Sequence, residues 1–308
     1  MRKREMKTGR CKRVLFMVLC AVLLTMLFPV SASADIGPKP SVRITFENLG
    51  DELCYGTLLS EQDNNGPSWA WNGDEEWANY EEKPSSYREI GYEEWKALVE
   101  YEDTDGYYYL QESWLISETG EINWTYYPPD PFKILLYFPD TDTFAVSGVC
   151  EQYAFDTYYT VDMADIDPNG GEMLPVRRSY DYGGEIVGLL ARILLTIAIE
   201  MVIAVMAFGF REKRQLQVLI VVNGATQILL NVLLNVTGYI NGPIIFVLDY
   251  IFLETLVFVI EAVVYCIWLR KVSGFPRKKR VYVGYAWVSN TVSFIVGMII
   301  AWLLPGIF

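Results

Sequence analysis

Histidine is absent from all 308 residues. With it go the commonest general base and the commonest metal ligand. Zinc sites of the HExxH type, and serine or cysteine nucleophiles activated by an imidazole, are excluded. Basic residues are scarce where the chain is most polar: residues 35–183 hold 31 Asp and Glu against 8 Lys and Arg, a net charge of −23. Such a surface repels phosphates, so nucleic acid is not a partner. The whole-chain net of −13 describes neither half, because the other 17 basic residues lie in the N-terminal leader and the apolar C-terminal third. Cysteine is also sparse, with five in the chain.

What is present begins with a leader. Residues 2–13, RKREMKTGRCKR, carry seven basic residues and one acid, and 14–28, VLFMVLCAVLLTMLF, are a 15-residue apolar core. PVSASA then supplies an Ala32-x-Ala34 cleavage pattern. This order reads as a secretory signal peptide, 1–34, with Asp35 as the mature start. The alternative is an uncleaved membrane helix, against which the core falls short of the ~20 residues a span needs. Export would place 35–183 outside the cytoplasm. Cys11 and Cys20 leave with the leader and Cys266 lies in an apolar run, so Cys54 and Cys150 remain as a candidate disulfide pair or as two free thiols.

Four apolar runs follow, at about 185–209, 216–238, 243–269 and 281–304. Each could cross a hydrocarbon layer of ~30 Å. REKRQ (211–215) and RKVSGFPRKKR (270–280) between them are basic, whereas GYINGP (238–243) is uncharged. Basic loops stay in the cytoplasm, so both would lie inside while 35–183 lies outside. The expectation is a multi-pass plasma-membrane protein with the lipid bilayer as its partner.

The runs are not uniformly apolar. Residues at i and i+4 share a helix face. Gly188, Arg192, Thr196, Glu200 and Ala204 make one such row; Asn223, Gln227, Asn231 and Asn235 make another. Tyr250, Glu254, Glu261 and Tyr265 lie on one face of the third run, and Ala286, Asn290, Ser293, Gly297 and Ala301 on one face of the fourth. Each helix therefore has a face that avoids lipid, and four such faces turned inward predict a four-helix bundle with a polar seam. Counting ~1.5 Å per residue puts Glu200, Glu254, Glu261, Asn223, Gln227 and Asn231 near mid-membrane, with Arg192 above them. Intramembrane ionisable groups are functional candidates. This cluster reads either as structural glue, able to associate with itself or another membrane protein, or as an ion-coupled site.

In the exported part, SVRITFENL (41–49) and CYGTLLSE (54–61) alternate as strands. SSYREIGYEEWKALVEYED (85–103), capped by Ser85 or Ser86, predicts one helix with Tyr92, Trp95, Leu98 and Val99 on a face. The later segments GYYYLQESWLI, GEINWTYY, FKILLYF, DTFAVSGV and DTYYTVDM predict further strands of a small antiparallel, sandwich-like β domain. The predicted class is thus an α+β membrane protein: an acidic β-rich extracytoplasmic domain (35–183), then an all-α membrane domain (184–308). Trp69, Trp71 and Trp77, set among acids in GPSWAWNGDEEW, are candidates for stacking on a cell-wall glycan, or alternatively for core packing or for a hydrophobic loop resting on the membrane surface. The acidic turns EDTDG (102–106), PDTDT (139–143) and DIDPNGGE (165–172) resemble calcium loops, but none completes the EF-hand pattern.

DIGPKPSVRITFENL, CYGTLLSEQDNNGP, CEQYAFDTYYTVDM and FGFREKRQLQVLIVVNGATQILLNVLLN together resemble a family of uncharacterised Gram-positive bacterial membrane proteins. The resemblance implies a cleaved signal, an exported domain, four C-terminal helices and a bacterial plasma-membrane location. It implies no activity and carries over no catalytic residue. The expectation is a non-enzyme without cofactor or metal: a surface binding, sensing or accessory protein, with a component of a transport or ion-coupled system as the alternative.

Overall fold

A computed structural model describes residues 37–73, 90–164, 166 and 173–303. The leader with Cys11 and Cys20, Trp77, the helix cap at Ser85 or Ser86 and nearly all of the 165–172 turn lie outside the described residues. Contacts group the described residues into two units. Pro38–Ile186 with Asn235–Val247 form one, and Val187–Leu234 with the residues from Leu248 onward form the other.

The first unit is β-rich. One sheet has the order β12-β10-β1-β7, from β12 (Val176–Arg178), β10 (Asp156–Asp162), β1 (Ser41–Glu47) and β7 (Glu121–Trp124). A second runs β11-β9-β8-β2-β5, from β11 (Met173–Leu174), β9 (Thr143–Ser147), β8 (Phe132–Phe138), β2 (Tyr55–Ser60) and β5 (Tyr108–Tyr109), with β6 (Trp114–Leu115) also on β2. β3 (Asn64–Asn65) and β4 (Ser68–Trp69) form a small separate ribbon.

β1 follows the two-residue period of a strand with one buried face. Val42, Ile44 and Phe46 point inward, while Arg43, Thr45 and Glu47 point out. They share a core with Ile122 and Val161 from the same sheet and with Leu58, Ile134 and Leu136 from the second. Full burial of each such aliphatic side chain contributes about 1.5–3 kcal/mol. β8 is buried at all seven positions. Its other face, Leu135 and Tyr137, packs with Leu59 of β2 and with Trp95 and Leu98 of helix α1 (Tyr92–Glu100). The second sheet is therefore covered on both sides, which explains its unbroken apolar runs.

Two features depart from the sequence reading. The sheets are mixed, because β1 pairs in parallel with β10 and β11 with β9. Parallel neighbours need long crossovers, and β1 meets a strand more than 100 residues away, so no local pattern announces the pairing. On α1, Trp95 and Leu98 are buried as expected, but Tyr92 is exposed and stacks on Trp95 with centroids 6.4 Å apart.

The cysteine bridge is not formed. Cys54 and Cys150 are buried free thiols. Cys54 directly precedes Tyr55, which pairs with Tyr137 near one end of β8; Cys150 bridges to Phe132 at the other end. The two lie about five residues apart along β8, or ~17 Å at ~3.4 Å per residue. A disulfide needs Cα atoms within ~7 Å. Burial, reinforced by the nearby Glu52 carboxylate, pushes the Cys54 thiol up to about 12, so it is an inert core group.

The C-terminal part is helical. Three helices are long and apolar enough to cross a membrane: Tyr182–Met206, Lys213–Val272 and Lys279–Ile300. We call them α2 (Tyr182–Met206), α3 (Lys213–Val264, continued through a π-turn at Tyr265–Leu269) and α4 (Lys279–Leu303). α2 starts where the Asp181 carboxylate accepts the Gly184 N–H at 2.8 Å, an N-cap bond. A straight helix of α3's 52 residues would run ~78 Å, more than twice a hydrocarbon core. It is broken at Gly242, with φ 78° and ψ −175°, next to Pro243. The two arms fold back on each other, since Thr226 of the first reaches Glu261 of the second. Leu190, Leu194, Val221, Ile228, Ile251 and Ile295 are exposed on these helices, the apolar surface a bilayer covers. These helices mark a membrane protein.

Candidate functional site

The polar rows of the helices converge. Glu200 of α2 and Glu261 of α3 are both fully buried. Asn223 Nδ2 donates to Glu200 Oε2 at 2.5 Å, and Ser293 Oγ of α4 lies 3.4 Å from Glu200 Oε1. The Tyr265 hydroxyl donates to Asn223 Oδ1, joining the second arm of α3 to the same chain. The π-turn that opens at Tyr265 locally underwinds and widens the helix, a feature frequent at functional sites. Glu261 in turn contacts Thr226 Oγ1 at 2.7 Å through Oε1, and accepts from Asn290 Nδ2 at 2.7 Å through Oε2. Tyr285 of α4 donates to the Glu200 backbone carbonyl at 3.3 Å. The side chains around the two acids come from both arms of α3 and from α4.

Arg192 heads a second polar layer. Its Nε donates to Asn231 Oδ1 at 3.1 Å, and Asn231 Nδ2 donates to the Gln227 backbone carbonyl at 2.9 Å. Arg192 precedes Glu200 by eight residues and Asn231 follows Asn223 by eight, so the layers stand ~12 Å apart along the helices. Glu254 lies on Glu261's face two turns away, and its buried Oε2 has no hydrogen-bond partner. The seven predicted cluster residues thus divide into two layers, with Glu254 outside both hydrogen-bonded chains. On α4, Gly297 leaves room for Tyr250, whose hydroxyl would stand 3.2 Å from a Cβ placed there.

Thr226 and Tyr285 were not singled out from the sequence. Thr226 is three residues after Asn223, on the face already marked by amides, so the i+3 neighbour was the available signal. Tyr285 precedes the small-residue row of α4 by one position and carries no such signal.

In the β-rich unit, Trp69 and Trp71 are 55 % and 40 % exposed. The Trp69 backbone carbonyl is held by Gln111 Nε2 at 3.0 Å, and Trp71 makes an edge contact with Trp95 at 5.8 Å. Two of the three candidate tryptophans are therefore exposed and held, Trp69 through its backbone carbonyl and Trp71 through its ring.

The acidic turn 102–106 holds an internal cation. Lys133 of β8 is buried, with Nζ 2.8 Å from Asp103 Oδ2 and 2.5 Å from Asp105 Oδ2. It also lies 5.0 Å from the centroid of the Tyr107 ring, a cation–π distance. Burial alone would raise the Asp103 carboxyl, but Lys133 and the backbone N–H groups of Asp105 and Tyr107 hold it below its ordinary value. Burial works against the Lys133 ammonium too, and the two aspartates overcome it and hold its pKa above the ordinary lysine value. A lone lysine in the apolar strand FKILLYF was the sequence signal for this site.

The 235–247 link belongs to the β-rich unit. Phe155 N–H donates to the Tyr239 carbonyl at 2.8 Å, and the Tyr182 and Tyr239 hydroxyls are 3.2 Å apart. The Phe155 ring sits 2.6 Å from where a Cβ on Gly242 would be. The two basic linkers are likewise tied to each other: Gly274 N–H donates to the Glu212 carboxylate at 3.0 Å, and Arg277 donates to the Phe208 carbonyl. Among the described residues, no three His, Cys, Asp or Glu side chains gather as a metal site. No protein family, curated protein or solved structure matches the chain.

Proposed function

We propose that this is a bacterial plasma-membrane protein that presents a β-rich recognition domain outside the cell on a four-helix anchor. It has no catalytic role. The observation that carries the recognition role is the outward display of Trp69 and Trp71, held by Gln111 and Trp95. Flat aromatic surface among acids suits stacking on a sugar ring, and cell-wall glycan is the partner proposed. The four-span arrangement is supported by the break at Gly242 and by hydrogen bonds joining both arms of α3 to α2 and α4. The sidedness is supported by two separate ties. The uncharged 238–243 link is bonded to the β-rich unit, and the basic linkers are bonded to each other. Basic loops face the cytoplasm.

The test is sedimentation of the detergent-purified full chain with insoluble cell-wall glycan. Binding that falls at least tenfold on Trp69→Ala and Trp71→Ala is the expected result. Absence of binding, or binding indifferent to both changes, refutes the glycan reading. The buried Glu200–Glu261 layer favours the second reading, a component coupled to an ion.

A further inference from the structure

The Glu200–Glu261 layer contains two buried carboxyl groups and no base. The hydrogen bonds to both side chains come from amides and hydroxyls: Asn223 and Ser293 for one, Thr226, Asn290 and Tyr265 for the other. The titratable neighbours from the packed elements are Glu254 and Tyr265 on the second arm of α3 and Tyr285 on α4. The first arm offers only Asn223 and Thr226. Arg192 is ~12 Å away along α2 and is engaged with Asn231. An uncompensated charge at this depth costs several kcal/mol, so something other than a side chain must balance these acids.

Asn290 identifies where that balance enters. It is 5 % exposed. Its Nδ2 donates to Glu261 Oε2 at 2.7 Å and to the Ala286 backbone carbonyl at 2.8 Å, which uses both amide hydrogens. The Ala286 carbonyl can only accept, so it fixes which end of the amide is nitrogen. Asn290 Oδ1 is therefore an acceptor, and it has no partner. A sealed oxygen without a donor, on the amide that grips Glu261, is satisfied by a positive ion or by a proton-bearing group.

The surrounding hydroxyls fit that role. Thr226 Oγ1 lies 3.0 Å from the Val222 carbonyl as well as 2.7 Å from Glu261. Ser293 Oγ lies 3.1 Å from the Asn290 carbonyl as well as 3.4 Å from Glu200. Each hydroxyl has one hydrogen and can accept when it is not donating to the carboxyl. It can donate to an ionised acid, or turn to its own helix and accept from a protonated one. These two hydroxyls can therefore serve the carboxyls in either charge state, while Asn290 Oδ1 stays unpartnered.

We propose that Glu200, Glu261 and Asn290 form a binding site for a small hard cation, a proton or Na⁺. All the donors are oxygen, which selects hard cations. With one of the two carboxyls protonated, a single positive charge neutralises the other, and the few oxygens here do not build the crowded shell of Ca²⁺. The site stands on the helical layer and does not depend on glycan binding.

The experiment is thermal unfolding of the full chain in detergent, followed by loss of helical circular dichroism. Na⁺ is exchanged for choline at constant ionic strength, and the series is repeated from pH 5 to pH 9. A ligand that binds only the folded state raises the midpoint. For Na⁺ we expect a rise of about 3–5 °C over choline at one pH, lost in Asn290→Ala, which retains both carboxyls. For the proton we expect no Na⁺ effect, but a midpoint that depends on pH in the wild type and much less in Glu200→Gln/Glu261→Gln. If the Gln variants do not fold, Asn290→Ala is compared with wild type across the same pH series and should alter its slope. Midpoints indifferent to Na⁺, with a pH dependence unchanged by every one of these substitutions, overturn the site. Cation binding without flux in proteoliposomes would support the site and reject the ion-transport reading, so the two fail separately.

Discussion

The β-rich unit and the helical unit both bury ionisable groups, and they do so in opposite ways. In the first, Lys133 lies between Asp103 and Asp105 at 2.8 and 2.5 Å. Charge meets charge, and Asp105 remains open to water. In the second, Glu200 and Glu261 meet only amides and hydroxyls. An ion pair holds one protonation state, because losing either charge strands the other. An amide-and-hydroxyl cage accepts two states, because a hydroxyl can reverse its direction. One arrangement fixes a strand in place; the other leaves an acid free to exchange.

Breaking the ion pair should have the largest effect. Lys133→Ala leaves Asp103 buried without its counter-charge. We expect a loss of about 3 kcal/mol, the low end for breaking a buried pair because Asp105 is solvated. Denaturant unfolding followed by tryptophan fluorescence measures it; a loss under about 0.5 kcal/mol would show that the pair is not structural. Next comes Gly242→Ala. Its φ of 78° disfavours any side chain, and the new Cβ would meet the Phe155 ring at 2.6 Å. A cost of about 1–3 kcal/mol should lower the unfolding midpoint, and Phe155→Ala in the same chain should recover part of it by removing the clash.

Glu261→Ala should cost about 1–3 kcal/mol, since it strands the Asn290 amide in an apolar interior. Glu261→Gln should cost less than half as much, because its carbonyl oxygen can still accept. Equal losses for the two would mean that the contact is packing rather than hydrogen bonding.

The ion pair also sets a pH window. Asp103 has a lowered folded-state value, so its contribution is present above the unfolded carboxyl value near ~3.9 and is lost as pH falls through the folded one. Lys133 has a raised value. Its contribution is complete below ~10.4 and is lost as pH rises through the folded value. Fluorescence-detected stability of the wild type should be level between, and Lys133→Ala should flatten both flanks. The smallest stability effect is expected for Trp69→Ala, within about 0.5 kcal/mol as for an exposed side chain, while glycan sedimentation falls.

Much of the helical site was legible in advance because a helix has one period. Gly188, Glu200 and Ala204 stand at multiples of four residues and are all buried; Asn223, Gln227 and Asn231 behave alike. Period specifies a face but not a partner. Whether Asn223 would meet Glu200 or Glu261 depended on how α3 folds back at Gly242, and the division into two layers followed from that. In the β-rich unit the alternation of β1 and the buried helix face at Trp95 and Leu98 were readable for the same reason. The parallel pairing of β1 with β10 was not, since hydrogen bonds between strands do not depend on their distance along the chain.

Composition and period by themselves determined that this protein has an acidic β-rich part without histidine and an apolar helical part with one polar face per helix. Those properties belong to local stretches of chain, where side-chain spacing and transfer energy act directly. Tertiary structure alone decided that Cys54 and Cys150 stand near opposite ends of β8, that Lys133 neutralises a turn resembling a calcium loop, and that Asn290 offers an unpaired oxygen beside Glu261. Each of these is a distance between residues far apart in sequence, set by how whole elements pack.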